Sequence, residues 1–428
     1  MGDYSFIFQT LFRGIGIAIA YWWTYLPLLL AFVLYELWMR YKAEEFVINI
    51  TWSLLEIKPP PDVQKSPKIA ENIFSALHSA YAGVAKFRER FFKGKLQFWY
   101  SFEIVGENGQ IKFYIRTPQD LRNVVEAQIF AQYPEAEISV ASDYVEELPR
   151  SLPNDEYDLF GAELIFTKED AYPIKTYPFF EEESGKDEFK RTDPLAPLME
   201  SLSTLGPGEH IWLQLLARPT GGDWAKDAQA IVDKLAGKKA EAKANVIQKV
   251  VDGINALLPL GQAAPEKKEE KKEEPNVQKL TPGQRFLLEQ VENKIAKLAF
   301  KCGYRLLYIA KKDVFNKTRP TGVTGMFKQM YSNNMNTFKP NLDTGTAPKG
   351  FLNWMFPSDK GFFADQQAYE RKWKIYRKYK DREFADKVTI LNTEELATLF
   401  HMPGLNVKAP LFPRVEAKKS QPPMGLPR

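Results

Sequence analysis

The residues best suited to chemistry form a run of cations and aromatic rings near the C-terminal end, ERKWKIYRKYKDR at positions 370–382. Lys and Arg bind phosphates, and aromatic rings stack on bases or enter a lipid interface. Candidate contacts to nucleic acid or to anionic lipid headgroups are Arg371, Lys372, Trp373, Lys374, Arg377, Lys378 and Tyr379. The alternative is a helix whose aromatic side chains and Ile375 pack partly inward while the cations stay in water. The spacing favours packing, and the net charge of +4 neither requires nor excludes a nucleic-acid partner.

The sequence contains no recognisable catalytic motif. It has no GxxxxGK[ST] phosphate loop, no GxSxG nucleophile elbow and no HExxH zinc motif. The three histidines, His78, His210 and His401, lie in separate segments without a carboxylate or cysteine at ligand spacing. A single cysteine, Cys302, excludes an intramolecular disulfide and a multi-cysteine zinc site. We therefore predict a protein that is not an enzyme and that has no catalytic, metal or cofactor-binding residues.

A second notable segment is ILNTEELATLFHMPG at positions 390–404. Asn392 is suited to cap a helix, with Glu395 completing a capping box, and the Pro-Gly pair at the end prevents continuation. The local pattern favours a packing helix that seals a domain edge. The alternative is a helix that docks a partner protein through Glu394, Glu395, Leu396, Leu399, Phe400 and His401.

The elements that position these segments begin at the N-terminus, where residues 14–35 carry no charge. About 22 residues at a rise of about 1.5 Å cross a bilayer, which predicts a transmembrane helix at 14–39 behind a tail at 1–13. The anchoring residues are Trp22, Trp23, Pro27, Trp38 and Arg40. A cleaved signal peptide fits less well, because the run is long and no small-residue cleavage site follows it. The basic flank after the run places the N-terminus outside and the bulk of the chain in the cytoplasm.

The remaining chain is long enough for two or three domains and reads as an α+β protein. Residues 45–142 follow the order strand, helix, strand, strand, helix, strand, with an Asn-Gly hairpin signal at 108–109. That order predicts a ferredoxin-like (split βαβ) domain, in which the first strand starts at Glu45 and FFKGK at 91–95 forms a loop. A second α/β domain is predicted at 155–237 and 281–404. It is interrupted by an amphipathic helix and a Lys/Glu-rich tether at 238–280, and a Pro-rich tail follows at 405–428.

Four segments together carry a family resemblance: GQIKFYIRTPQDLRNVVEAQIFAQYPEAEI, YDLFGAEL with KTYPFFEE, DPLAPLMESLSTLGPGEHIWLQL, and LNTEELATLFHMPG. The chain resembles the membrane-anchored N-terminal region of type IV secretion and conjugation-type DNA-transfer ATPases of small-genome uncultured bacteria. The resemblance spans about residues 45–420 apart from the tether.

In that family a P-loop motor follows the Pro-rich linker, and no motor motif is present in this sequence. The resemblance therefore implies a non-catalytic assembly or docking subunit in the bacterial inner membrane. It implies a separate P-loop ATPase and further copies of the chain as partners, with nucleic acid reached through the partner. The sequence leaves open the alternative of a membrane-tethered nucleic-acid-binding module that uses residues 370–382.

Overall fold

The computed structural model describes residues 20–59, 66–83, 85–183, 192–236, 280–332, 334–341, 343–346, 364–385 and 387–404. The predicted N-terminal tail, the start of the transmembrane run, nearly all of the tether and the Pro-rich tail lie outside these residues. Contacts divide the chain into two compact units. The first is Met1–Trp52 with Ala82–Phe98, and the second is Ser53–Tyr81 with Trp99–Arg428.

The described helices and strands are mixed along the chain, with several helix pairs and strand pairs in direct succession. The helices are α1 (Trp22–Ile48), α2 (Lys68–Leu77), α3 (Phe87–Lys93), α4 (Arg122–Gln132), α5 (Tyr177–Glu183), α6 (Ala196–Ser203), α7 (Asp223–Leu235), α8 (Pro282–Ala296), α9 (Arg319–Gln329), α10 (Ala364–Lys380) and α11 (Thr393–Leu399). The strands are β1 (Trp52–Lys58), β2 (Tyr100–Glu107), β3 (Gln110–Pro118), β4 (Glu137–Val140), β5 (Tyr157–Phe166), β6 (Glu209–Thr220), β7 (Ala299–Lys311), β8 (Phe338–Pro340) and β9 (Thr389–Asn392). Short 3-10 turns follow α2, precede α4 and begin at Tyr144.

In the first unit, α1 is longer than predicted. It continues through Pro27 to Ile48, so the prediction of a strand from Glu45 was wrong, and β1 begins only at Trp52. The segment after the apolar run is rich in good helix formers, and Lys42 pairs with Glu45 at 2.6 Å one turn on. These local preferences outweigh the alternating pattern that suggested a strand.

The loop predicted at 91–95 is also wrong, because α3 occupies most of this segment. Phe91 stacks on Tyr35 with ring centroids 6.2 Å apart, and its carbonyl accepts a hydrogen bond from Trp38 Nε1 at 3.0 Å. The helix ends at Gly94, whose φ of +62° suits the left-handed C-cap. A Cβ at Gly94 would lie 1.9 Å from the Lys42 carbonyl oxygen, so only glycine permits this contact between the helices.

In the second unit, the described strands form one nine-stranded sheet in the order β4-β1-β3-β2-β6-β7-β5-β8, with β9 paired to the start of β7. The Asn-Gly hairpin is confirmed, with φ of 51° at Asn108 and 76° at Gly109. The sequence predicts a ferredoxin-like α+β domain and a separate α/β domain. The structure joins their strands through the antiparallel pair β2 and β6, from Tyr100 opposite Ala217 to Glu107 opposite His210. The sheet is therefore continuous across the predicted domain boundary.

The two halves of the sheet share one strand arrangement. β3 lies between β1 and β2, and β7 lies between β5 and β6. In each half the fourth strand, β4 or β8, lies outside the first and pairs with it antiparallel. The two halves meet at their second strands, β2 and β6.

Each face of the sheet has its own core. One face carries α2, α4, α6, α9 and α11, with Phe74, Val125, Leu198, Met326 and Leu396 among its buried residues. The other face is covered by the segment around Tyr144 and by α10 through Ile375, Tyr376 and Tyr379. A third cluster joins α7 to α8 through residues that include Val232 and Val291. The helices that flank residues 237–279 thus pack against each other.

Glycines 83 and 94 allow a matched test of the contact between α1 and α3. Both have positive φ, but a Cβ at Gly83 meets nothing within 4 Å. Gly94→Ala should displace and locally unfold α3 and so speed tryptic cleavage after Arg88 and Arg90, because backbone at Lys42 blocks the methyl group. Gly83→Ala should bear only the backbone strain of about 1 kcal/mol, with little change in cleavage. Equal cleavage of both variants would show that the close approach does not hold α3.

Candidate functional site

The predicted membrane anchor lies on α1, and its side chains face outward. Trp22 and Trp23 are 55% and 60% exposed, and Trp38 and Arg40 are exposed as well. Pro27 lies inside the helix, and none of the 27 residues of α1 is buried. Within the described residues, α1 is the one helix that is long and apolar enough to cross a bilayer. The described residues leave most of its aromatic and aliphatic side chains exposed, and α3 contacts it at Tyr35 and Trp38.

The predicted contact residues of the basic-aromatic run lie on α10 and divide between the core and the surface. Tyr379 and Lys378 are buried, and Lys372 Nζ lies 2.6 Å from the Asp158 carboxylate. Arg371 and Lys372 are partly buried, so the surface patch reduces to Trp373, Lys374 and Arg377, with Arg377 over the Trp373 ring at 5.0 Å. The packing interpretation describes most of this run, since α10 covers the second face of the sheet.

Beneath α10, a row of polar side chains crosses the centre of the sheet. Glu103, Gln214, Arg305 and Glu163 occupy directly opposed positions on β2, β6, β7 and β5. All four are buried, and hydrogen bonds of 3.2 Å join each residue to the next. Arg305 also donates to the Lys378 carbonyl of α10 at 3.2 Å. We call these four residues the buried row.

Arg382, just past α10, supplies the charge that allows Glu103 to be ionised in the core. Its guanidinium donates to both Glu103 oxygens at 3.0 and 3.1 Å, and it also pairs with Asp143. Tyr144 donates to Glu103 at 2.8 Å and shares a hydrogen bond with Tyr379. Burial raises the pKa of Glu103, but the Arg382 charge and these hydrogen bonds hold that pKa below its usual value. The carboxylate and guanidinium are thus a buried ion pair that fixes the end of α10 to the sheet.

Sequence reasoning missed the buried row, although a signal was present. Each strand carries one polar residue inside an apolar run: FEIV in β2, WLQLL in β6, YRLLYI in β7 and AELIF in β5. A charged residue in a strand that is otherwise apolar indicates a buried partner, because an unpaired buried charge is costly. The sequence alone does not show which strands are neighbours, so the four positions could not be aligned.

The predicted docking residues lie on and just after α11, and the structure places them inside the chain. Leu396, Leu399 and Phe400 are buried, with the Phe400 ring 5.1 Å from that of Phe102 on β2. His401 Nε2 lies 3.0 Å from Asp193, and its Nδ1 lies 2.7 Å from the Ala397 carbonyl. The packing alternative describes these side chains, and a partner could reach them only if α11 left its place.

The two glutamates of α11 are likewise engaged. Asn392 caps the helix and Glu395 completes the capping box, as the sequence predicts. Glu395 also forms a fully buried ion pair with Lys294 of α8 at 3.1 Å and accepts from the Ile174 amide. Glu394 bonds to Lys297 and Thr176. Burial raises the pKa of Glu395, and the Lys294 charge only partly offsets that effect. Helix α11 is therefore tied to α8 and to the chain before α5.

A cavity of about 270 Å³ lies at the end of β2 and β6, and its lining includes Glu107, Tyr157, His210, Trp212 and Lys311. His210 Nδ1 lies 3.6 Å from Glu107, and burial lowers the pKa of His210 to about 4. The imidazole is therefore neutral near pH 7.

His78 bonds to the Thr220 carbonyl, and Cys302 is buried. In the part of the chain that the structure describes, no group of three or more His, Cys, Asp or Glu residues could hold a metal.

The Glu103–Arg382 pair gives a stability prediction. Glu103→Gln should lower the free energy of unfolding by about 3 kcal/mol, because it leaves the buried guanidinium without its main counter-charge. The control is Lys372→Met, which removes a partly exposed pair between α10 and Asp158 of β5 and should cost about 1 kcal/mol or less. Urea denaturation measures both variants, and equal losses would contradict the role given to the buried pair.

The lowered pKa of Glu103 also predicts an acid dependence. The unfolded chain takes up the proton first as the pH falls, so this carboxylate stabilises the fold above its unfolded pKa of about 4.3. That contribution is lost as the pH falls through the folded pKa. Urea midpoints of the parent chain should fall over this range more steeply than those of Glu103→Gln. If the urea midpoints of both chains fell equally with pH, Glu103 would not be the group that takes up a proton on unfolding.

Packing and docking make different predictions for α11. Leu396→Ala should lower stability by about 2–5 kcal/mol, because it opens a cavity in a core that cannot collapse. Tyr369→Ala, at an exposed site of α10, should lie within about 0.5 kcal/mol of the parent. Thermal unfolding of the purified chain measures both, and an unchanged Tm for Leu396→Ala would restore the docking interpretation.

Comparison with known proteins gives a family without an assigned activity. A family model described as domain of unknown function (DUF8128) matches residues 39–411, from the last third of α1 to beyond α11. No curated protein matches the chain. Because the match covers most of the sequence, including every strand of the sheet, the chain belongs to the DUF8128 family.

Proposed function

We propose that this protein is a single-pass membrane subunit that holds a non-catalytic α+β domain at the bacterial inner membrane. The observation that carries the proposal is α1, a helix of 27 residues with no buried side chain. Apolar side chains that stay exposed among the described residues, such as those of α1, are stable in hydrocarbon. The basic residues Arg40 and Lys42 follow the charge-free run. They support an outside N-terminus and a cytoplasmic location for the second unit, which contains the sheet and which we call the sheet unit.

The polar groups of the sheet unit support a structural role and not a catalytic one. Glu103 and Arg382 form an ion pair, and Arg305 donates hydrogen bonds to Glu163 and Gln214. Helix α10 covers these groups on that face of the sheet. A catalytic acid or base needs access to a substrate. These charges instead specify how α10 lies on the sheet.

We further propose that the sheet is built from two split βαβ units, of which residues 45–142 contain the first. The strand orders β4-β1-β3-β2 and β8-β5-β7-β6 support this, since in each half the third strand separates the first and second. β4 has four residues and β8 has three, and such short edges discourage edge-to-edge pairing with other sheets. Contacts with partners and with copies of the chain would therefore use helix faces and loops.

The assembly would be a type IV secretion-like, conjugation-type translocation apparatus. Support comes from the family resemblance of the segments in β3–α4, β5, α6–β6 and α11. A separate P-loop ATPase would be the motor partner and would bring any nucleic acid. Since α11 is part of the core, the partner would bind surfaces of the folded sheet unit and not the side chains of α11.

The anchor can be tested with one added charge. Leu29→Arg places a cation within the charge-free run and should abolish alkali-resistant membrane association, since a charge at the centre of a span costs about 2.5–3.5 kcal/mol. Ile48→Arg, an exposed site outside that run, is the matched control and should remain in the membrane. If alkali releases the parent chain, the anchor is refuted.

The assembly role predicts a specific partner. When the parent chain and the control Ile48→Arg are purified in mild detergent from the native host, a P-loop ATPase should co-purify with both. Leu396→Ala should lose that partner only to the extent that it unfolds, because α11 acts through the fold. Recovery of a monomer without an ATPase would contradict the assembly role while leaving the anchor intact.

A further inference from the structure

We propose that α3 is an interfacial helix that binds an anionic lipid surface where α1 leaves the bilayer. The proposal rests on the membrane anchoring proposed above, and it adds a lipid-binding surface to it. The surface consists of the exposed aromatic rings Phe87 and Phe92 and the exposed cations Lys86, Arg88, Arg90, Lys93 and Lys95.

Two of the three aromatic rings of α3 are highly exposed to solvent. Phe87 is 64% exposed and Phe92 is 61% exposed. The third ring, Phe91, is the one that packs against α1, stacking on Tyr35 and lying 6.0 Å from the ring of Trp38. One ring thus fixes the helix to α1, while the other two lie beside it and remain mostly exposed. Exposed aromatic rings on a short helix beside an apolar span are typical of the membrane interface.

The charge around these rings has one dominant sign. Positions 86–95, KFRERFFKGK, hold five cations and the single acid Glu89, which pairs with Lys95 at 3.4 Å. Within the described residues, Arg88, Arg90 and Lys93 make no ion pair, although all three are exposed. The cations of α10 contrast with this, because Lys372 and Lys380 pair with carboxylates of their own chain. Free cations beside exposed rings fit the phosphate groups and acyl boundary of an anionic bilayer.

The position of α3 along α1 also agrees with binding to a lipid surface. The charge-free run ends at Tyr35, and Phe91 contacts Tyr35 and Trp38 at that end. Farther along, Gly94 meets Lys42 and Phe98 stacks on Phe46, so the two segments advance in the same direction. Phe87 stacks on Phe91 at 5.7 Å and precedes all of these contacts along α3. The first turn of α3 is therefore its end nearest to the apolar run.

The experiment uses nitroxide labels on the full chain in lipid nanodiscs. Cys302 is 0% exposed, so a single introduced cysteine can be labelled without removing it. The probes are Phe87→Cys on α3, Leu29→Cys on α1 and Val140→Cys on the exposed edge strand β4. Each is measured for collision with oxygen and with a water-soluble nickel chelate. The discs contain either phosphatidylcholine alone or phosphatidylcholine with phosphatidylglycerol.

We expect Leu29→Cys to collide mainly with oxygen in both discs and Val140→Cys mainly with nickel. Phe87→Cys should move from nickel towards oxygen when phosphatidylglycerol is present. Adding Arg88→Gln and Arg90→Gln should move the label back towards nickel. Each cation removed should lower the partitioning of α3 into the anionic disc surface about fivefold. The matched control, Lys374→Gln with Arg377→Gln on α10, should leave the Phe87 label unchanged.

The possible outcomes separate this inference from the proposed anchor. A Phe87 label that stays in water in both discs, with Leu29 in lipid, overturns the lipid-binding surface and leaves the anchor. A Leu29 label in water overturns the anchor itself. A Phe87 label that excludes both reagents indicates a protein contact between copies of the chain, which also overturns the lipid assignment.

Discussion

The fold of the sheet unit depends on the ion pair between Glu103 and Arg382. A carboxylate at the centre of a sheet is costly to bury unless a counter-charge reaches it. The counter-charge comes from the chain just after α10, so placing α10 and ionising Glu103 are one event. The neighbours Gln214, Arg305 and Glu163 extend the polar contacts over both halves of the sheet. A shifted α10 would leave several charged groups unpaired, and this requirement favours a single arrangement of helix and sheet.

The same requirement explains why the basic-aromatic run was difficult to interpret from sequence. Cations beside aromatic rings suit a phosphate surface, but they also suit a helix that covers a polar row. Tyr379 on α10 and Arg382 just after it satisfy the second description, because their side chains are 0% and 1% exposed against the sheet. Alternation of charged and aromatic residues does not distinguish these uses. The distinction depends on the other strands, and Gln214 is 111 residues from the glutamate that it contacts.

Local features were predictable from sequence, and long-range ones were not. The capping box of α11 and the hairpin at Asn108 depend on neighbouring residues, and both were predicted correctly. The extension of α1 to Ile48 was missed for a local reason, because the alternating pattern was given more weight than the helix-forming residues before it. The existence of α3 was missed, since its position is fixed by contacts between segments that are distant in sequence, such as Phe91 with Trp38. The union of two predicted domains in one sheet was missed for the same reason. Periodicity indicates which face of a strand is buried but not which strand lies beside it.

The contact between α7 and α8 has a consequence for the chain that connects β6 to β7. These two strands are antiparallel neighbours, and a tight turn would suffice to join them. The packed helices instead hold together the two ends of residues 237–279 through Val232 and Val291. With those ends held by packed side chains, a change in the number of residues between them alters no described contact of β6 or β7. Insertions and deletions in that segment can therefore accumulate with little effect on the stability of the sheet, which makes it the natural place for length variation in this fold.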